Sequence, residues 1–387
     1  MEPCRILAVI GTRPEAIKMA PLVQAMARDK RFEVRTCVTA QHREMLDQVL
    51  AAFDWVPDID LNLMRPGQTL SGITIDILSH IGQVIEANRP DLVLVHGDTT
   101  TTFATSLASY YRQVAVGHVE AGLRTGNLYS PWPEEANRRL TGALAALHFA
   151  PTKGARANLL AENVADDAIT VTGNTVIDAL LSIVARLGAD AALRDAIARQ
   201  FGFLAPGARM ILVTSHRRES FGGGFERVAA ALKSICDRYP DVEIVFPLHR
   251  NPRVREPFRK ILSGNGRIHL IDPVDYVPFI WLMQRSHIIL TDSGGLQEEA
   301  PTLGKPVLVM RDTTERPEAV EAGTVRLVGT DADAIEQETA RLLDDPEAYD
   351  RMSAASNPYG DGLASGRIIE AIAAAHRAGR LKRDFAG

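Results

Sequence analysis

Apolar residues gather in short runs, some unbroken and some interleaved with polar residues, and nearly every run hands over to a polar, often glycine-bearing turn and then to a segment with helical spacing. In the first half the runs cover residues 5–10, 32–39, 91–96, 114–119, 147–151 and 169–174. In the second half they cover 210–214, 242–246, 267–271, 287–290, 307–310 and 325–329. Runs that do not alternate predict strands buried on both faces, as in parallel sheets. Helical spacing is predicted over 16–26, 70–86, 101–111, 152–162, 175–187, 277–283, 331–343, 346–352 and 365–378, with further helices after His42, from Glu134, after Gly224 and after Ser293. Residues 54–68 read as a loop holding one short strand. Strand and helix alternate through both halves, which predicts the α/β class.

In open α/β sheets ligands sit at the carboxyl ends of the strands, so the turns there carry the candidate chemistry. The first turn is Gly11-Thr12-Arg13-Pro14-Glu15, with Pro14 suited to a first helical turn. Arg13 is wedged in that turn; Lys18 is either a site residue or a solvated helix lysine. Gln41 and His42 follow the second strand. Asp98 opens a run of four threonines and is either a helix cap or an acid/base group. Glu120 lies in a loop between glycines, and Glu134 and Glu135 open a helix whose dipole alone would favour them. Three carboxylates, Asp98, Glu120 and Glu134, at strand ends or nearby loops read as an acid/base site.

The second half is different. Ser215-His216-Arg217-Arg218 precedes a glycine run and is either good company for a diphosphate or a surface charge cluster, and His249-Arg250 is another basic strand end. Asp292-Ser293-Gly294-Gly295 lies between an apolar run and a helix. It reads either as an N-capped helix or as an anion clamp in which Ser293, Gly294 and Gly295 bring backbone N–H groups to a phosphate. Glu298 and Glu299, about one turn on, are placed to accept from a pair of sugar hydroxyls. Phe279 is a core residue or a stacking surface for a base. Carboxylates in one half, with cations and an anion clamp in the other, suit a sugar whose leaving group is a nucleotide.

Other chemistries fail on their own terms. Gly304-Lys305 is followed by Pro306, which breaks a Walker pattern. Thr291 stands where a nucleophile elbow needs glycine. His118-Val119-Glu120 lacks the paired cysteines of a zinc deaminase.

The chain has 387 residues, 46% hydrophobic and 24% charged, enough for two ordinary domains. Its net charge of −5 argues against a nucleic-acid partner. The start of the chain does not read as a secretory signal, and no apolar run is long enough to span a bilayer. Cys4, Cys37 and Cys236 are scattered, which suits a reducing cytoplasm rather than disulfides or a zinc site.

The motifs taken together resemble a family. Gly11-Thr12-Arg13-Pro14-Glu15-Ala16-Ile17-Lys18, Gly97-Asp98-Thr99-Thr100-Thr101, Gly117-His118-Val119-Glu120-Ala121-Gly122-Leu123-Arg124-Thr125, Pro133-Glu134-Glu135-Ala136-Asn137-Arg138, Thr172-Gly173-Asn174-Thr175-Val176-Ile177-Asp178 and Asp292-Ser293-Gly294-Gly295 look like the bacterial non-hydrolysing UDP-N-acetylglucosamine 2-epimerases. The resemblance runs in order from Arg5 to about Gly366.

It implies a GT-B fold of two Rossmann-like doubly wound domains with the active site in the cleft between them. Residues 1–173 would carry the carboxylates, 174–362 would bind UDP, and 363–387 would form a C-terminal helix packing back on the first domain. It implies reversible C2 epimerisation of UDP-N-acetylglucosamine to UDP-N-acetylmannosamine, by elimination of UDP to 2-acetamidoglucal and re-addition, with no NAD or other cofactor and no metal. Asp98, Glu120 and Glu134 would be the acid/base groups. His216 and Arg13 would support the departing diphosphate, with Lys18 also in the active site. Ser293, Gly294 and Gly295 would hold phosphates, Glu299 the ribose, and Phe279 would lie near the uracil.

Some members bind a second UDP-N-acetylglucosamine as activator. Gln41, Gln68, Arg217 and His249 occupy similar positions here, although Glu44 stands where some relatives have glutamine. A cytoplasmic homodimer serving cell-envelope polysaccharide synthesis is also implied. The rival readings are a GT-B glycosyltransferase, a hydrolysing 2-epimerase and a catalytically dead nucleotide-sugar sensor.

Overall fold

The computed structural model describes residues 2–39, 43–63, 65, 67–217 and 222–381, without the side chains of 43–45. The chain divides into two units, residues 1–179 with 359–387, and residues 180–358. It leaves the first unit inside one helix, Thr175–Ala189, and re-enters it at Tyr359.

The strands of the first unit are β1 (Cys4–Ile10), β2 (Phe32–Val38), β3 (Ile59–Asp60), β4 (Leu92–His96), β5 (Ala115–Val119), β6 (Leu147–Ala150) and β7 (Ile169–Val171). They form one sheet in the order β3-β2-β1-β4-β5-β6-β7, and every pairing is parallel. The unbroken apolar runs are explained by this burial: every residue of β4 and β5 is buried, and so is β1 apart from Arg5. On one face, Leu7, Val9, Val93, Val95 and Val116 share a core with Ile73, Ile77, Ile81 and Ile85. The four isoleucines recur at every fourth residue of the helix Leu70–Asn88, one stripe down its length. The C-terminal helix Ala364–Arg377 packs on the helix Arg13–Ala27, and Arg31 bonds Glu370 at 2.6 Å beside it.

The second unit repeats the plan with β8 (Arg209–Thr214), β9 (Val242–Pro247), β10 (Ile268–Ile271), β11 (Ile288–Thr291), β12 (Val307–Val309) and β13 (Val325–Leu327). Their order is β10-β9-β8-β11-β12-β13, again all parallel. Both sheets therefore reverse direction beside their first strand, between β1 and β4 and between β8 and β11. Such a break splays the two flanking loops apart and opens a crevice at the strands' carboxyl ends.

Three helices lie outside the sequence expectation: Ala191–Gln200, Pro252–Leu262 and Pro317–Glu321. The helix Pro252–Leu262 hides its pattern behind Pro252 and Pro257, yet Asn251 caps it and Val254, Phe258 and Leu262 bury one face at four-residue spacing. Among the described residues, no helix is long and apolar enough to cross a membrane.

Candidate active site

In the first unit the break between β1 and β4 is tied shut from below by one carboxylate. Thr12 and Glu15 form a capping box at the start of the helix Arg13–Ala27. Glu15 Oε2 accepts from the N–H groups of Gly11 (3.0 Å) and Thr12 (2.7 Å). Its other oxygen accepts from the Thr99 hydroxyl (2.7 Å) and lies 3.1 Å from the Thr102 hydroxyl, in the loop and helix after β4. Glu15 is fully buried, and burial pushes its pKa up against the pull of these donors. The threonine run is thereby explained: Thr99 caps the helix Thr100–Tyr111, Thr102 donates to His96 O at 2.6 Å, and Thr101 meets Thr39 at 3.2 Å.

Because Thr99 is the cap, Asp98 is not. Its carboxylate faces Arg138 Nη2 at 2.6 Å, and its carbonyl accepts from Asn137 Nδ2 at 2.9 Å. Both partners come from the helix Glu134–Leu144, whose first residue is Glu134 itself. Glu134 Oε2 is buried with no hydrogen-bond partner among the described residues. Its neighbour Glu135 has a structural role. It accepts from the N–H groups of Thr125 (3.0 Å) and Gly126 (3.2 Å) and from Arg138 (3.2 Å). Burial would raise the Glu135 carboxyl, but these donors outweigh it and hold its pKa low.

Glu120 follows β5 with φ at 63°, in the left-handed region that a residue with a Cβ adopts at a cost of roughly 1–2 kcal/mol. Its carboxylate is paired with Lys18, the two side chains being 8% and 15% exposed. Asn174 Nδ2 donates to the same oxygen at 2.6 Å. His96 Nε2 lies 3.9 Å from it; burial pushes His96 down to about 4, so it is neutral at pH 7. The loop after β4 turns at Gly97, φ 68°, where a Cβ would sit 3.6 Å from Glu120 Oε1. Lys18 is thus a partner of a carboxylate rather than a solvated lysine. Arg13 is half-buried at the start of its helix.

In the second unit the break between β8 and β11 is organised by Asp292, fully buried at the end of β11. Its Oδ2 accepts from Ser215 Oγ (3.0 Å) and from the N–H groups of His216 (2.6 Å) and Arg217 (2.8 Å), while His216 Nδ1 sits 3.1 Å from Oδ1. Burial would raise Asp292, but His216 and these N–H groups outweigh it and keep it below the usual carboxylate range. His216 stacks on His249, ring centroids 5.9 Å apart. Arg217 lies against the start of the helix Gly294–Thr302: a Cβ on Gly294 would be 3.8 Å from its Nη2.

Ser293 holds the N-cap position of that helix without capping it through its side chain, so the leading N–H groups of Gly294 and Gly295 are not occupied by a Ser293 hydroxyl. The two glutamates expected to serve a hydroxyl pair separate. Glu298 is paired with Arg316, whereas Glu299 Oε1 accepts from Tyr276 at 3.0 Å and stays beside Gly295. Phe279 is half-exposed on the helix Tyr276–Arg285 and so is not a core residue. Of the residues grouped as a second ligand site, Arg217 and His249 lie with His216 in the second unit. Gln68 belongs to the first and donates to Asp76 at 2.8 Å; Gln41 lies outside the described residues.

Asn174, Arg138, Glu15 and Asp292 were missed as site residues. A capping-box spacing from Thr12 to Glu15 was available as a signal for one of them; the other three act across the fold and leave no local pattern. One group of potential metal ligands among the described residues, Cys4, Asp91 and His376, involves the opposite sheet edge, where β1 and β4 begin. Asp91 is held on both oxygens by Arg5, and burial with Asp91 pushes the Cys4 thiol up to about 12. That set lies away from the carboxyl ends of the strands.

A sequence model of the family described as UDP-N-acetylglucosamine 2-epimerase matches residues 24–373. The chain is 64% identical over 370 residues to a probable UDP-N-acetylglucosamine 2-epimerase of Ralstonia nicotianae, covering 96% of this chain and 99% of that one. It is 61% identical over 368 residues to the UDP-N-acetylglucosamine 2-epimerase of Escherichia coli K12, covering 95% and 98%. The crystal structure of the Neisseria meningitidis UDP-GlcNAc 2-epimerase, solved with UDP-GlcNAc bound, matches with a TM-score of 0.89 at 52% identity, covering 95% of this chain and 99% of that one. These epimerase structures have the GT-B fold, and the two parallel sheets described above are of that type.

Proposed function

The chain belongs to the UDP-N-acetylglucosamine 2-epimerase family, and on that premise we propose that it interconverts UDP-N-acetylglucosamine and UDP-N-acetylmannosamine without hydrolysing them. A carboxylate takes the C2 proton while the C1–O bond to UDP breaks. The C–H electron pair becomes the C1–C2 double bond of 2-acetamidoglucal, and the C–O pair leaves with UDP. UDP then adds back to C1 as a carboxylic acid delivers a proton to the opposite face of C2. The scheme balances without an oxidant or reductant.

The C2 hydrogen is not next to a carbonyl, so leaving-group stabilisation carries much of the barrier. A preorganised donor of the oxyanion-hole kind is worth about 3–4 kcal/mol. His216, Arg13 and the Gly294 helix start are the groups proposed for that work, with Glu299 on the ribose and Phe279 near the uracil.

The observation that carries the reading is that neither Asp98 nor Glu120 is used up as a helix cap. Each is set against a cation, Arg138 or Lys18, and Glu120 is held in a strained conformation. Asp98, Glu120 and Glu134 are therefore proposed together as the acid/base groups. Cys4, Cys37 and Cys236, all free and buried, fit the proposed cytoplasmic setting, and the family resemblance supports a homodimer.

Incubation with UDP-N-acetylglucosamine alone in deuterated water tests the reaction. Deuterium at C2 in both sugar nucleotides is expected; no exchange would overturn the reading. Accumulating free N-acetylmannosamine would replace it with the hydrolysing reaction.

A further inference from the structure

We propose that Asn174 is a positioning residue for Glu120, setting the carboxylate's orientation and charge for proton transfer. This rests on the acid/base reading of Glu120.

Asn174 sits between the end of β7 and the helix through which the chain leaves the first unit. Each of its polar groups has an assigned bond. Nδ2 donates to Glu120 Oε2 at 2.6 Å, Oδ1 accepts from Val176 N–H at 3.1 Å, and the backbone N–H donates to Tyr359 O at 2.7 Å. The last bond joins the outgoing crossing to the returning one. The approach is tight: a Cβ on Gly173 would lie 3.3 Å from both Gly360 Cα and Tyr359 O. Asp178 extends the lacing by accepting from the N–H groups of Ala364 (3.2 Å) and Ser365 (2.7 Å). The Asn174 amide is therefore pinned on its backbone side and on its acceptor side. Its remaining donor meets a glutamate whose own backbone is strained.

Two donors, Lys18 and Asn174, converge on one oxygen of that glutamate. Lys18 comes from the helix Arg13–Ala27 and supplies the counter-charge; His96, from β4, is neutral. A lysine ammonium on a flexible stem fixes charge but not direction. A pinned amide at 2.6 Å fixes direction.

Substitution can separate this role from simple helix capping. Asn174→Ser and Asn174→Asp both keep a side-chain acceptor for the Val176 N–H and leave the backbone bond to Tyr359 in place. The aspartate has no donor for Glu120 and adds a like charge, and the serine hydroxyl, one bond shorter than the amide nitrogen, falls short of Glu120. A hydrogen bond to a charged group is worth enough to predict a fall in kcat of roughly 10- to 100-fold for Asn174→Ser, with KM changed less than about threefold. The acid limb of the pH–rate profile should move up by about one pH unit, since the ionised carboxylate has lost a donor, and further for Asn174→Asp. Thermal midpoints should stay near that of the parent protein. Parent rates and an unmoved acid limb in both variants, with Glu120→Gln inactive, would overturn the positioning role and leave Glu120 as an acid/base group. Retained deuterium exchange in Glu120→Gln would remove that reading and the role of Asn174 with it.

Discussion

The two units share a strand order and put different residues at its break. In the first, the loops after β4 and β5 carry Asp98 and Glu120, each matched to a cation supplied by another element, Arg138 or Lys18. In the second, the loops after β8 and β11 carry His216 and Asp292. There the buried acid is occupied by Ser215 and the His216 and Arg217 backbone N–H groups, and Ser293 does not cap the helix start at Gly294, the proposed anion site. A parallel sheet with one reversal supplies a crevice; the loop residues decide whether it handles protons or phosphates. Asp98 and Glu120 each face a cation, whereas Asp292 holds a loop, and this difference fits the proposed split between proton transfer and phosphate binding.

The sharpest break of that contrast is Glu120→Gln or Asp98→Asn. Removing an acid/base group should lower kcat and C2 deuterium exchange by about 10³-fold, within the usual range for such groups, and should change UDP binding far less. Next comes Asp292→Asn. Taking the charge from a buried, multiply bonded acid should cost roughly 3 kcal/mol of unfolding free energy and weaken UDP binding. A variant that kept its denaturation midpoint would show Asp292 to be dispensable as a brace.

The third prediction concerns acid. His96, His118 and His148 lie in adjacent strands of the first unit, and burial pushes them down to about 4, 3 and 4. Each has a folded pKa below its unfolded one, near 6.5. The unfolded chain therefore binds protons first, and the stability from keeping these rings neutral is present above about pH 6.5 and lost as pH falls toward 4. Lowering pH from 7 to 6 should cost about 2 kcal/mol through these three rings together. In the second unit, Asp292 has the opposite signature. Its depressed pKa contributes stability that is lost only as pH falls below the ordinary carboxylate range. Hydrogen exchange at pH 7 and pH 6 should thus show protection lost around β4, β5 and β6; unchanged protection there would contradict the assignment. The smallest effect expected is that of Glu15→Gln. An amide can still accept from the Gly11 and Thr12 N–H groups and donate to the two threonine hydroxyls, so kcat should fall less than about fivefold.

Much of the fold was legible because buried parallel strands write themselves as unbroken apolar runs, and β1, β4, β5, β8 and β11 all do so. The helix Pro252–Leu262 was not, because two prolines interrupt an otherwise regular stripe. At the site, residue types at strand ends pointed to Asp98, Glu120, Glu134 and His216, but not to how they are held. Asp98 sits next to a better cap in Thr99, and only the structure shows which of the two does the capping. Glu120 meets Asn174 across 54 positions of chain, and Asp292 meets Ser215 across 77. No window of sequence shows such pairs. Glu298 and Glu299 are adjacent and chemically alike; the ion pair with Arg316, 18 positions on, separates their roles.

The division of labour between the two units is tested most directly by calorimetric titration of UDP into Glu120→Gln beside the parent protein. The account predicts the same UDP affinity within about threefold in a variant that no longer exchanges deuterium at C2. A loss of UDP affinity as large as the loss of rate would contradict it, because Glu120 would then belong to the group that holds the nucleotide.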